Sequence, residues 1–124
     1  VLTPQQLDFY RENGYVLTGR VLDDATLELL RAEEARFRSA KSDPPGQLTI
    51  FRSQTHDFSQ AVREFATRGP QIEWMKQLIG PNIALWFDQF VSKHPDTDLQ
   101  KGEFPWHQDN GYVSIEPATN VTLW

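Results

Sequence analysis

The chain has 124 residues, with 12 Lys plus Arg against 17 Asp plus Glu and a formal net charge of −5. That is the size of one modest domain or part of a larger one. The acidic balance excludes a backbone-tracking nucleic-acid binder and a polybasic membrane anchor, since both need clustered cations. With no Cys, disulfides, thiolate zinc sites, iron–sulfur clusters and cysteine nucleophiles are excluded together, and the composition fits a cytoplasmic protein. The longest strongly apolar run, Ile83 to Phe87, falls far short of the ~20 residues that cross a bilayer. The opening shows no basic stretch followed by an apolar run. A 39% hydrophobic content with 12% aromatic residues supports a folded core.

The first element reads as a capped helix. Thr3 is a good N-cap, Pro4 occupies the first helical position, Gln6 can complete a capping box, and Asn13-Gly14 ends the helix. Tyr15 to Leu17 is expected as a short strand. A second helix should start at Asp23 or Asp24 and run to about Ala40, burying Leu27, Leu30, Ala35 and Phe37. Its other face, with Glu28, Arg31, Glu33, Glu34, Arg36 and Arg38, reads as solvated surface. Lys41 to Gly46 is a loop by composition. Leu48 to Arg52 is expected as a strand, and Asp57–Arg68 and Pro70–Ile79 as short helices, the latter stopping at Gly80-Pro81.

After Gly80 the texture turns to β. Ile83 to Ser92 reads as a long strand, His94 to Phe104 as a polar loop, and Trp106 to Ile115 as extended with a turn near Asn110-Gly111. Val121 to Trp124 begins a further strand. The expected fold class is α+β, with helices packed against a sheet. Ending on an apolar strand predicts that residues 1–124 are the N-terminal portion of a single longer domain, 1–80 mainly a helical bracing region and 81–124 the first core strands.

The residues with the clearest chemical content are Trp106-His107-Gln108-Asp109. In an extended segment residues i and i+2 share a face, so His107 and Asp109 would present an imidazole nitrogen and a carboxylate oxygen side by side. Two such donors and one further His form the facial triad of non-haem Fe(II) sites. The pattern alone is weak, because a chance His-x-Asp is expected about 0.2 times in a chain of this composition. His94-Pro95-Asp96 fits it too, but Pro95 and the polar residues after it read as a turn in water. His107 differs by the aromatic bulk of Phe104, Trp106 and Tyr112; a core histidine or a surface ion pair is the competing reading. Trp106, next to His107, is expected to face away from the motif and pack. His56, before Asp57 at a helix start, reads as loop trimming.

Residues 2 to 16, Leu-Thr-Pro-Gln-Gln-Leu-Asp-Phe-Tyr-Arg-Glu-Asn-Gly-Tyr-Val, and residues 105 to 112, Pro-Trp-His-Gln-Asp-Asn-Gly-Tyr, resemble the phytanoyl-CoA dioxygenase family in content, order and separation. Gly80-Pro81-Asn82 falls where that family often turns into its first long core strand. The resemblance implies N-terminal helices braced on a double-stranded β-helix, or jelly roll, only partly covered by this chain. It implies Fe(II), with 2-oxoglutarate and O2 as cosubstrates, and hydroxylation of a small molecule or acyl conjugate with succinate and CO2 as coproducts. By motif match His107 and Asp109 are two of the iron ligands.

Strand alternation groups Phe87, Gln89, Val91 and Lys93 on one face. If that face lines the barrel, Gln89 can hydrogen-bond a substrate, and Lys93 at the rim can meet a carboxylate of 2-oxoglutarate. The alternative for Lys93 is the first solvated residue after a strand. Trp124 resembles an aromatic position beside the cosubstrate, with core filling as the alternative, and Tyr112 either borders the substrate pocket or is structural. The family's third iron ligand, a His, and its 2-oxoglutarate-binding Arg are expected downstream of Trp124, since no His or Arg follows Asp109. The competing function is a non-catalytic small-molecule-binding module or a truncated relative lacking the third ligand. Nucleic-acid and membrane partners are not expected, and the sequence leaves the oligomeric state open.

Overall fold

The computed structural model describes residues 1–40, 49–93, 105–112, 115–117 and 119–124. In chain order the elements are α1 (Pro4–Asn13), α2 (Asp24–Ser39), β1 (Thr49–Ser53), α3 (Gln60–Arg68), α4 (Gln71–Ile79) and β2 (Gln89–Lys93), with single 3₁₀ turns at Thr55–Asp57 and Asp109–Gly111. Helices together with a small antiparallel sheet make the fold α+β, as expected. Two units build it: Val1–Val21 with Arg68–Ala84 and His107–Trp124, and Leu22–Thr67 with Leu85–Trp106. The expected loops Lys41–Gly46 and His94–Phe104, and with the latter the His94-Pro95-Asp96 pattern, lie outside the described residues.

In the first unit α1 starts as the sequence dictates. Thr3 Oγ1 accepts from the Gln6 backbone N–H at 3.2 Å while Gln6 Oε1 accepts from the Thr3 N–H at 2.9 Å, a reciprocal capping box. Gly14 closes the helix with φ +78, and its N–H donates to the Tyr10 carbonyl. Leu2 is buried, and the peptide groups around it are clasped by one α4 amide: the Leu2 N–H donates to Gln77 Oε1 at 2.7 Å and Gln77 Nε2 donates to the Leu2 carbonyl at 3.1 Å. The side chain thereby imitates a strand neighbour and satisfies both the N–H and the C=O of a buried residue. Tyr15–Leu17 is not a strand. The Leu17 carbonyl instead accepts from Gln6 Nε2 at 3.4 Å, and the Tyr15 ring meets Phe9 edge-on with centroids 5.4 Å apart.

In the second unit β1 and β2 pair antiparallel, with Thr49 opposite Lys93, Phe51 opposite Val91 and Ser53 opposite Gln89. The strand expected over Ile83–Ser92 is shorter because its partner runs out. The chain leaves β1 at Gln54 in the left-handed region, φ +55, so among the described residues nothing continues the ladder beyond the Gln54 N–H bond to the Asp88 carbonyl. Trp86 and Phe87 are exposed in consequence. The sheet face carrying Phe90 and Ser92 turns to α2. Phe90 meets Phe37 with centroids 6.2 Å apart, Ser92 Oγ donates to Glu34, and Arg52 Nε donates to the Phe37 carbonyl at 2.9 Å near the helix end, where a cation offsets unpaired carbonyls.

Glu33 and Glu34 therefore correct the expectation of a fully solvated face. Arg36 and then Ser59, which is buried, hydrogen-bond Glu33 and hold its carboxyl below the usual range, and Glu34 ties the sheet to the helix.

Asp88 anchors the entry to β2. Its carboxylate accepts from the backbone N–H groups of Thr55 at 3.1 Å and His56 at 3.2 Å, from the Thr55 hydroxyl, and from His56 Nδ1. Thr55 is buried, and the His56 and Asp88 side chains are only 18% and 15% exposed. Burial pushes the Asp88 carboxyl up, but the His56 and Thr55 side chains and the His56 backbone N–H outweigh it and hold the group below its ordinary value. His56 thus orients a carboxylate rather than trimming a loop.

Asp88→Ala leaves these donors unpaired and is expected to lower the unfolding free energy by about 2–3 kcal/mol at neutral pH in chemical denaturation. A folded carboxyl lying below its ordinary 3.8 stabilises fully above that value and loses the contribution as pH falls through the folded value. The gap between wild type and variant should therefore close on acidification; a gap independent of pH contradicts the assignment.

Candidate functional site

The His107–Asp109 segment has no strand partner among the described residues, yet it keeps the local alternation of one. Gln108 is extended, at φ −116 and ψ 131, which puts its two neighbours on the same side of the backbone. His107 Nε2 lies 3.4 Å from Asp109 Oδ1, with the two side chains 29% and 45% exposed. Asp109 opens the 3₁₀ turn, in which the Gly111 N–H donates to the Gln108 carbonyl at 2.9 Å and the Tyr112 N–H to the Asp109 carbonyl at 3.0 Å. That turn falls where Asn110-Gly111 predicts one, and it brings the Tyr112 ring against the His107 imidazole, 5.6 Å between centroids at 66°. The carboxylate is held from the chain end as well: Thr122 Oγ1 donates to Asp109 Oδ2 at 2.7 Å.

Asp109 borders a cleft of about 890 Å³ whose walls include Tyr10, Tyr15, Trp74, Met75 and Leu78 together with Gln108, Thr122 and Trp124. This is within the roughly 300–1,000 Å³ of small-molecule sites, which combine apolar walls with a few polar groups. The first unit therefore brings together four of the residues singled out from sequence: His107, Asp109, Tyr112 and Trp124. Trp124 lines the cleft from an irregular segment rather than the expected strand.

Gln89 and Lys93 belong to the second unit. Gln89 is exposed, and its Nε2 donates to Ser53 Oγ at 2.7 Å across the sheet; Lys93 is exposed at the end of β2. Trp106, expected to pack, is fully exposed, because no neighbouring strand among the described residues offers a surface to lay it on.

The donor set of His107 and Asp109, one imidazole nitrogen and one carboxylate oxygen, is the kind that holds a divalent first-row metal. The pair supplies two donors; among the described residues no group of three or more His, Cys, Asp or Glu converges. A second His–Asp pair provides the contrast. His56 Nε2 is 3.6 Å from Asp57 Oδ1, but Arg63 Nη2 lies 3.6 Å from the same oxygen and opposes another cation there. His56 also commits Nδ1 to Asp88.

Two residues that hold these His–Asp pairs in place, Asp88 on His56 and Thr122 on Asp109, were not picked out from the sequence. Asp88 carries a usable signal, a carboxylate inside the run IALWFDQFV, since a buried charge there demands partners. Thr122 carries a fainter one, a hydroxyl between Val121 and Leu123.

A family model described as phytanoyl-CoA dioxygenase (PhyH) matches residues 10–124. The chain is 25% identical over 138 residues to "Phytanoyl-CoA dioxygenase, peroxisomal" of Bos taurus and 28% over 139 to the protein of the same name in Mus musculus; each match covers 98% of this chain and 41% of the relative. It is 24% identical over 139 residues to "Probable phytanoyl-CoA dioxygenase" of Caenorhabditis elegans, covering 95% of this chain and 45% of that one. The chain thus spans about two-fifths of the length of the curated relatives it matches. No solved structure matches it.

The contrast between the two His–Asp pairs is measurable. Titrating Co(II) into the protein is expected to broaden the His107 ring resonances in histidine NMR spectra before those of His56. Equal broadening of both, or broadening of His56 first, contradicts the placement.

Proposed function

The chain belongs to the phytanoyl-CoA dioxygenase family, and on that footing we propose that it is the N-terminal part of an Fe(II)- and 2-oxoglutarate-dependent dioxygenase. The reaction is hydroxylation of a small molecule or acyl conjugate, with succinate and CO2 as coproducts. An acyl-CoA is the substrate to try first, because the relatives' names point to one. The observation that carries the reading is the convergence of His107 Nε2 and Asp109 Oδ1 beside a cleft of about 890 Å³.

In this reading His107 and Asp109 hold the metal, and bound Fe(II) with 2-oxoglutarate supplies the oxidising chemistry. The remaining tasks fall to the protein. Tyr112 steadies the His107 ring by its edge contact, and Trp124 borders the cosubstrate in the cleft. The apolar wall of Tyr15, Trp74, Met75 and Leu78 excludes water from the reacting carbon. The architecture proposed is a jelly roll of which residues 1–124 form the N-terminal portion, 1–80 bracing and 81–124 entering the barrel, with the third ligand His and an anion-binding Arg supplied beyond Trp124. No helix among the described residues is long and apolar enough to cross a membrane; the cytoplasmic location we propose rests on the cysteine-free composition alone.

The test uses the longer protein. Anaerobic addition of Fe(II) and 2-oxoglutarate should give a weak visible charge-transfer band that His107→Ala abolishes. A band unchanged by that substitution refutes the ligand assignment.

A further inference from the structure

We propose that Thr122 is a positioning residue for the metal-binding carboxylate: its hydroxyl reserves Asp109 Oδ2, so that Oδ1 alone faces the metal. The inference rests on the reading of His107 and Asp109 as ligands and adds to it a residue outside the motif.

A carboxylate on a metal has two oxygens and a soft terminal torsion. Left to itself it can exchange its oxygens or bind through both, and the second mode takes a coordination position that substrate or cosubstrate needs. In this chain the two oxygens already have different partners. Oδ1 lies 3.4 Å from His107 Nε2, on the side where both donors converge. Oδ2 accepts from Thr122 Oγ1 at 2.7 Å, a short bond of the charge-assisted kind.

Nothing in the local turn forces this contact, for Thr122 comes 13 residues after Asp109 in the chain. Threonine suits the task because its branched Cβ restricts χ1 and aims the hydroxyl. Thr122 and Asp109 also line the same cleft, so the bond sets the carboxylate plane where a ligand would enter. An exposed hydrogen bond adds little to folding stability. Its effect should appear in metal binding, where partners of ligating groups typically matter by about 10–100-fold.

The experiment compares Thr122→Val, Thr122→Ala, Thr122→Ser and Asp109→Ala in the full-length protein, titrated anaerobically with Fe(II) and, for its visible spectrum, with Co(II). Thr122→Val and Thr122→Ala are expected to weaken metal binding about tenfold and to change the Co(II) spectrum, whereas Thr122→Ser restores both, because Ser keeps the donor. Wild-type affinity in either hydroxyl-free variant, or failure of Ser to restore it, overturns the role of Thr122. The Asp109→Ala arm separates this from the underlying reading. If it abolishes binding while Thr122→Val binds normally, only the Thr122 assignment falls; if it too binds normally, Asp109 is not a ligand and both fall.

Discussion

One extended residue, Gln108, decides whether this chain has a site at all. Its backbone angles place the flanking imidazole and carboxylate on one side, and every other feature of the region either holds that arrangement or makes use of it. The 3₁₀ turn stops the segment immediately after Asp109, so the carboxylate stands at a fixed end rather than in a sliding strand. Tyr112, delivered by the same turn, restrains the imidazole, and Thr122 restrains the carboxylate from the other side. Were Gln108 to leave the extended region, the two donors would no longer share a face.

The two units meet their polar obligations by different means. In the second, Asp88 gathers four donors from Thr55 and His56, joining the exit of β1 to the entry of β2, and Glu34 and Arg52 join the sheet to α2. In the first, a single amide on α4 stands in for a strand neighbour at Leu2. Leu2 and Val62 are the buried apolar residues among those described, so hydrophobic burial alone gives limited definition here. Directional bonds set much of the geometry, and buried partners that go unmet cost far more than exposed ones.

Much of this was legible in the sequence where the determinant is local. The Thr3 cap, the Gly14 stop, the span of α2, the Gly80 end of α4 and the Asn110-Gly111 turn depend on neighbouring residues, and the sequence states them directly. Strand limits were not legible in the same way. Tyr15–Leu17, Ile83–Asp88 and Val121–Trp124 have β-forming composition, but a strand exists only where another segment takes its hydrogen bonds, and β1 serves β2 for five residues. The pairing of His107 with Asp109 needed only alternation and was legible for that reason. The contacts of Asp88 with His56, and of Thr122 with Asp109, join residues 32 and 13 positions apart; spacing rules do not reach them.

The central claim is that His107 and Asp109 grip one ferrous ion together. It is tested most directly by an anaerobic crystal structure of the longer protein with Fe(II), located by anomalous scattering at the iron edge. The account predicts a single iron bonded to His107 Nε2 and to one oxygen of Asp109. An iron bound elsewhere, or density showing the two side chains turned apart with metal present, would contradict it.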